Sequence, residues 1–105
     1  MVFIETPVFT RELPSLMDDD DYQALQIALL MRPTIGRAIP GSGGLRKARW
    51  TLRGKGKRGG CRIIYYWDET RETCYMLYAY RKSRQEDLSA QQLRLLRRFV
   101  REEFG

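Results

Sequence analysis

The densest chemistry in this chain is cationic. The segment Gly54-Lys-Gly-Lys-Arg-Gly-Gly60 sets Lys55, Lys57 and Arg58 among glycines, with Lys47 and Arg49 before it and Arg62 after it. Residues 41–62 carry eight basic groups and no acid, whereas residues 1–40 carry three basic and six acidic ones, so the net charge of +6 is concentrated in one stretch. A one-sign block of this density attracts a polyanion or an acidic protein, because each neutralised phosphate releases condensed counterions. Glycine lets a backbone approach a phosphate closely, and alternate lysines can reach around it. The heptad alone fits a solubilising hairpin loop equally well. Its neighbours favour a concave cationic site, since three successive segments deliver cations to one region. A nucleoside triphosphate loop is disfavoured, because no Ser or Thr follows the Gly-Lys and the wider glycine spacing is absent.

Other chemistries are excluded by what is missing. There is no histidine, and two cysteines, Cys61 and Cys74, are too few for a disulfide framework or a zinc site. No metal and no cofactor are expected. The apolar stretch from Ala24 to Met31 is far shorter than a membrane span, and the acids before it are the wrong charge for a signal peptide, so a cytoplasmic protein with no membrane partner is expected.

The elements that position the cations follow from patterning. With 105 residues, 43% of them apolar, the chain forms one compact domain over residues 1–105. Val2, Phe3 and Ile4, then Val8 and Phe9, read as a first strand running into a turn at Pro7. Asp18, Asp19, Asp20 and Asp21 precede the apolar run Tyr22 to Leu30 as helix-capping acids, with Pro33 as the stop. Four consecutive acids point in different directions around a helix, which makes capping the better reading than a divalent-ion site. Residues 33–44 read as a loop. Along residues 45–52, Ala48, Trp50 and Leu52 fall on one strand face and Lys47, Arg49 and Thr51 on the other, with Arg46 breaking the pattern. Residues 62–67 and 72–80 form a hairpin about a turn at 68–71, which places Cys74 opposite Tyr65 and Cys61 opposite Tyr78 and keeps the thiols apart. Ser89-Ala-Gln-Gln92 is a capping box ahead of Leu93, Leu96, Val100 and Phe104 at helical spacing. This order predicts an α+β domain with a mainly antiparallel sheet. Tyr65, Tyr66, Tyr75, Tyr78 and Tyr80 add aromatic faces, of which one or two at most are expected to stack on unpaired bases, the rest being core.

Gly43-Gly-Leu-Arg-Lys-Ala-Arg-Trp50, the basic heptad, Arg62-Ile-Ile-Tyr-Tyr66, Leu77-Tyr-Ala-Tyr-Arg-Lys82 and Glu86-Asp-Leu-Ser89 together resemble the HigB branch of the RelE toxin superfamily over essentially the whole chain. The resemblance implies a four-stranded, mainly antiparallel sheet with an N-terminal helix or helices and a C-terminal helix. It also implies a toxin of a toxin–antitoxin system: a ribosome-dependent endoribonuclease that cleaves mRNA, inhibits translation and is held by a cognate antitoxin. By motif, Lys55 and Lys57 match the family's basic loop, Arg62 the arginine opening the next strand, and Lys82 the basic position ending the last strand. Arg81 replaces the glycine or alanine often found before that lysine, which leaves open whether Arg81 or Lys82 faces the substrate. The catalytic tyrosine of some branches has no counterpart after Asp87.

Cleavage of RNA without metal needs the ribose 2′-oxygen deprotonated, the phosphorane charge stabilised and a proton for the leaving 5′-oxygen. Lysine with a pKa lowered by neighbouring cations can act as the base, so Lys55 and Lys57 are the candidates. Arg62 can grip two phosphate oxygens, and Lys82 can assist or donate the proton. Lys47, Arg49, Arg58, Arg81 and Arg84 are the expected RNA-binding cations. Two alternatives share these residues: a ParE-like toxin acting on DNA gyrase without nuclease chemistry, and a non-enzymatic RNA-binding module.

Overall fold

The computed structural model describes residues 1–51 and 60–104. Five strands form one mixed sheet: β1 (Val2–Glu5), β2 (Arg37–Ala38), β3 (Leu45–Trp50), β4 (Cys61–Asp68) and β5 (Thr73–Arg81), in the spatial order β1-β5-β4-β3-β2. Helices α1 (Pro7–Leu16) and α2 (Asp19–Met31) cover one face, and α3 (Ala90–Phe104) covers part of the other. The expected four-stranded, mainly antiparallel sheet is corrected in its strand number, while three of the four strand pairings are antiparallel. β1 joins the edge of β5 in parallel, which the intervening helices allow, and the two-residue β2 forms inside the stretch read as loop.

Each helix start has a local cause. Thr6 caps α1, its Oγ1 accepting from the Phe9 N–H at 3.1 Å and donating to the Leu77 carbonyl at 2.8 Å, with Pro7 in the first turn. Val8 and Phe9 therefore belong to a helix and do not extend the first strand: proline's missing N–H costs nothing at this position, and Phe9 is fully buried. Asp18 caps α2 by accepting from the Asp21 N–H at 2.8 Å, and Asp19, Asp20 and Asp21 fill its first turn. At α3 the capping box is reciprocal: Gln92 N–H donates to Ser89 Oγ at 3.1 Å and Ser89 N–H to Gln92 Oε1 at 2.9 Å.

The hairpin of β4 and β5 closes on Asp68 opposite Thr73, so the turn lies one residue later than its sequence suggests. A bulge at Leu77 adds a further shift, and the Leu77 carbonyl is the one Thr6 takes. Cys74 consequently faces Trp67 and Cys61 faces Arg81, in place of Tyr65 and Tyr78. The thiols remain unpaired and buried, and burial pushes Cys61 up to about 11 and Cys74 up to about 12.

Alternation along β4 divides the core in two. Cys61, Ile63 and Tyr65 pack with Phe9, Leu25 and Leu29 under α1 and α2, while Ile64 packs with Leu45, Leu77 and Val100 under α3. On β3, Ala48 and Trp50 join the α1/α2 side as their spacing predicts. Arg46 shares that face without ending the strand, because its guanidinium donates to the Gly36 carbonyl at 2.8 Å. Tyr65 ties the α2–β2 connection to the sheet: its hydroxyl donates to the Pro33 carbonyl at 2.7 Å and accepts from the Gly36 N–H at 2.9 Å. A Cβ on Gly36 would lie 2.8 Å from the Tyr65 ring, so only glycine fits.

Candidate functional site

The face that α3 occupies is apolar only where the helix lies. Toward the opposite end of β3 and β4, the same face carries cations. Arg49 is directly opposite Arg62, and Arg62 is directly opposite Tyr80, making a row across three strands. Lys47, two residues before Arg49 on β3, stands on the same face. Like charges directly opposite each other destabilise a sheet, so the pairing of Arg49 with Arg62 is a cost that packing does not explain.

Arg62 is the centre of this row. It is only 3% exposed; among the described residues its Nε has no hydrogen-bond partner, and its ion pair is with Glu86, Nη2 to Oε2 at 3.5 Å. A desolvated guanidinium with an idle N–H carries an unmet demand for an acceptor. Arginine's fixed fork suits the paired oxygens of a phosphate.

Two consecutive acids of the segment after β5 sit over these cations. Glu86 faces Arg62, and the carboxylate of Asp87 bonds the Lys47 ammonium. The hydrogen bond from Lys47 and its charge hold Asp87 below the usual carboxylate range, with Arg62 and Arg49 adding to the effect. Tyr80 is 5% exposed and donates to the Glu86 carbonyl at 3.4 Å; burial, reinforced by the Asp87 charge, pushes its hydroxyl up to about 12. Among the described residues, then, Lys47 and Arg62 already have carboxylates of the same chain beside them.

Of the residues singled out by sequence, the structure brings Lys47, Arg49 and Arg62 onto one face. Lys82 follows β5 directly, and its N–H donates to the Gly60 carbonyl, which holds the end of β5 against the start of β4. Arg81 goes elsewhere: it pairs with Cys61 on the α1/α2 side, and its guanidinium bonds the Ser15 carbonyl at the end of α1. Arg84 is exposed in the turn after it, beside Glu12 and Ser15. Lys55, Lys57 and Arg58 lie outside the described residues, in the segment joining Thr51 to Gly60. Sequence reasoning missed Glu86 and Asp87 as site residues, and Tyr80 as anything beyond an aromatic face. The available signal was a pair of acids a few residues past the basic end of β5, in a region otherwise dominated by cations.

This architecture, a mixed sheet with two helices on one face and a third on the other, is a RelE-like α+β fold. The chain is similar in structure to the E. coli toxin RelE, solved as a mutant in the free state, with a TM-score of 0.57 and 15% sequence identity over 81% of this chain and 86% of that one. No family model matches the sequence. Among the described residues, no helix is long and apolar enough to cross a membrane.

Proposed function

We propose that this protein is the toxin of a toxin–antitoxin system, of the HigB type within the RelE superfamily: a metal-independent endoribonuclease that cleaves mRNA on the ribosome and so inhibits translation. The observation that carries the proposal is Arg62, buried with an unpartnered Nε in a row with Arg49 and beside Lys47. Structural stability gives no reason to build such a set, and a phosphate gives a good one. A toxin acting on gyrase through surface contacts has no use for a desolvated guanidinium, which favours the nuclease reading over the ParE-like one.

In this mechanism Arg62 neutralises the phosphorane, Lys47 and Arg49 hold flanking phosphates, and Lys55 and Lys57 supply the base, with Lys82 as proton donor. A free lysine has a pKa near ~10.4, so it is mostly protonated at neutral pH unless the assembled site depresses that value. The ribosome supplies what the isolated protein lacks by holding the messenger in a fixed, in-line geometry. The test is a comparison of single-turnover cleavage of one messenger, free and in a programmed ribosome. Cleavage is expected to be strong on the ribosome and weak on naked RNA. Equal rates would reject ribosome dependence, and binding without cleavage in either setting would establish the RNA-binding module.

The partner is a cognate antitoxin whose acidic segment competes for the same cations. Its binding weakens as salt rises if the cationic face is the contact.

A further inference from the structure

A second feature adjoins the cationic row. β2 is only two residues long and pairs with Arg46 and Lys47, so the outer edge of β3 from Ala48 to Trp50 has no strand partner among the described residues. Across that edge α2 and the turn after it come close, enclosing a pocket of about 250 Å³. Its lining includes the apolar residues Leu25, Ile35, Ala48 and Trp50, and Arg37, Lys47 and Arg49 border it at the strand edge. Ile35 is 46% exposed, a large apolar side chain turned to solvent beside a pocket. Among the described residues, Trp50 Nε1 is buried with no hydrogen-bond partner, an unusual state for an indole N–H.

We propose that this pocket takes one unstacked nucleobase of the RNA strand whose phosphates lie on Lys47, Arg49 and Arg62. The proposal rests on the RNA-binding part of the reading above and adds to it a base subsite. Three observations fit a base. The pocket shares Lys47 and Arg49 with the phosphate row, so its occupant is tied to a chain of anions. Trp50, Arg37 and Arg49 among its lining are of the residue types on which single-stranded bases stack. Its apolar lining of Leu25, Ile35 and Ala48 suits the flat face of a base. Recognition of this kind favours an unpaired base over a paired one with little preference among the four. An acidic peptide with an apolar side chain has some of these features but no flat group for the indole and guanidinium planes.

The test uses a short single-stranded RNA with 2′-O-methyl riboses, which cannot be cleaved, and the same sugar–phosphate chain without bases. Affinity is read by fluorescence anisotropy for the intact protein and for Trp50→Leu and Ile35→Ala. The intact protein is expected to bind the base-bearing strand roughly five- to a hundredfold more tightly, the range that base–aromatic stacking implies. Both variants should lose much of that preference while binding the bare chain as the parent does. Ile35→Ala alters a half-exposed side chain and reports on the pocket even if Trp50→Leu disturbs the fold. An undiminished preference in both variants would place base recognition elsewhere and overturn the pocket while leaving RNA binding intact. Failure of the intact protein to bind either strand would overturn both readings. Loss of binding to an acidic amphipathic peptide in Ile35→Ala, with RNA binding unchanged, would assign the pocket to a protein partner.

Discussion

Replacing Arg62 by methionine should make the protein more stable and inactive at once. Methionine has similar length and no charge, so it fills the space among Ile64, Tyr80 and their neighbours without the desolvated guanidinium. The idle Nε is a buried donor without an acceptor, a penalty of about 1–3 kcal/mol. Relief from Arg49 directly opposite adds roughly 0.2–1 kcal/mol. Against this stands the contact with Glu86, whose side chain is 72% exposed, so its loss costs about 0–1 kcal/mol. The balance favours Arg62→Met by about 1–3 kcal/mol, in line with what replacing buried charges by apolar groups does elsewhere. In a domain of this size each kcal/mol shifts Tm by roughly 4–8 °C. Thermal unfolding followed by circular dichroism measures this, and toxicity on induced expression measures the other half. A variant that unfolds at lower temperature than the parent would refute the reasoning, because Arg62 would then be a structural residue and its burial no sign of a waiting anion. A variant that is more stable and still fully toxic would leave the stability argument standing and remove Arg62 from the site.

Lys55→Ala combined with Lys57→Ala should abolish ribosomal mRNA cleavage with little change in Tm; normal cleavage by the double variant would remove both from the site. Tyr65→Phe leaves the Gly36 N–H without its acceptor and the Pro33 carbonyl without its donor, so denaturant unfolding should show a loss of roughly 1–3 kcal/mol and no direct effect on RNA affinity. Burial raises both thiols above their usual 9.0, to about 11 and about 12. Their contribution to stability is therefore full below pH 9 and is lost as pH rises through the folded values, because the unfolded thiols ionise first. Titration with a thiol reagent at pH 8 should accordingly be slow until denaturant is added, and rapid labelling of the native protein would contradict it. Glu86→Gln with Asp87→Asn should tighten binding of single-stranded RNA, most clearly at low salt, since the cations no longer have to exchange one anion for another; weaker binding would mean that the acids hold Lys47 and Arg62 in place for the ligand.

Most of the fold was legible because its signals are local. Asp18 with its following acids, Pro33 and the Ser89–Gln92 box mark helix ends through hydrogen bonds within four residues, and the alternation of Ala48 and Trp50 against Lys47 and Arg49 fixes a strand's faces by pleat alone. What failed depended on distant partners. Pro7 reads equally as a strand-ending turn or a helix start, and the choice is made by Thr6 bonding the Leu77 carbonyl on a strand more than seventy residues away. The hairpin register needed both the turn position and the bulge at Leu77, and nothing in the sequence marks the bulge. The two-residue β2 exists only because Arg37 and Ala38 meet Lys47 and Arg46.

The same division runs through the site. Cations are visible in a sequence because they are numerous and clustered, but which of them converge depends on strand parity. Arg81 and Arg62 are both basic strand residues at the same end of the sheet. They part because Arg81 pairs with Cys61, whose side chain faces α1 and α2, whereas Arg62 is one residue further on and faces the other way. Glu86 and Asp87 come to the cations through the connection between β5 and α3, whose path is set by the docking of Leu88, Leu93 and Val100 beneath the helix. An apolar contact thereby places two carboxylates on two cations. The cationic face is thus already satisfied in part by the chain's own acids, and an incoming polyanion or acidic partner must displace them. Its apparent affinity then depends on salt through two sets of ion pairs, those it forms and those it breaks, so the salt slope of the parent should be shallower than that of Glu86→Gln/Asp87→Asn measured on the same RNA.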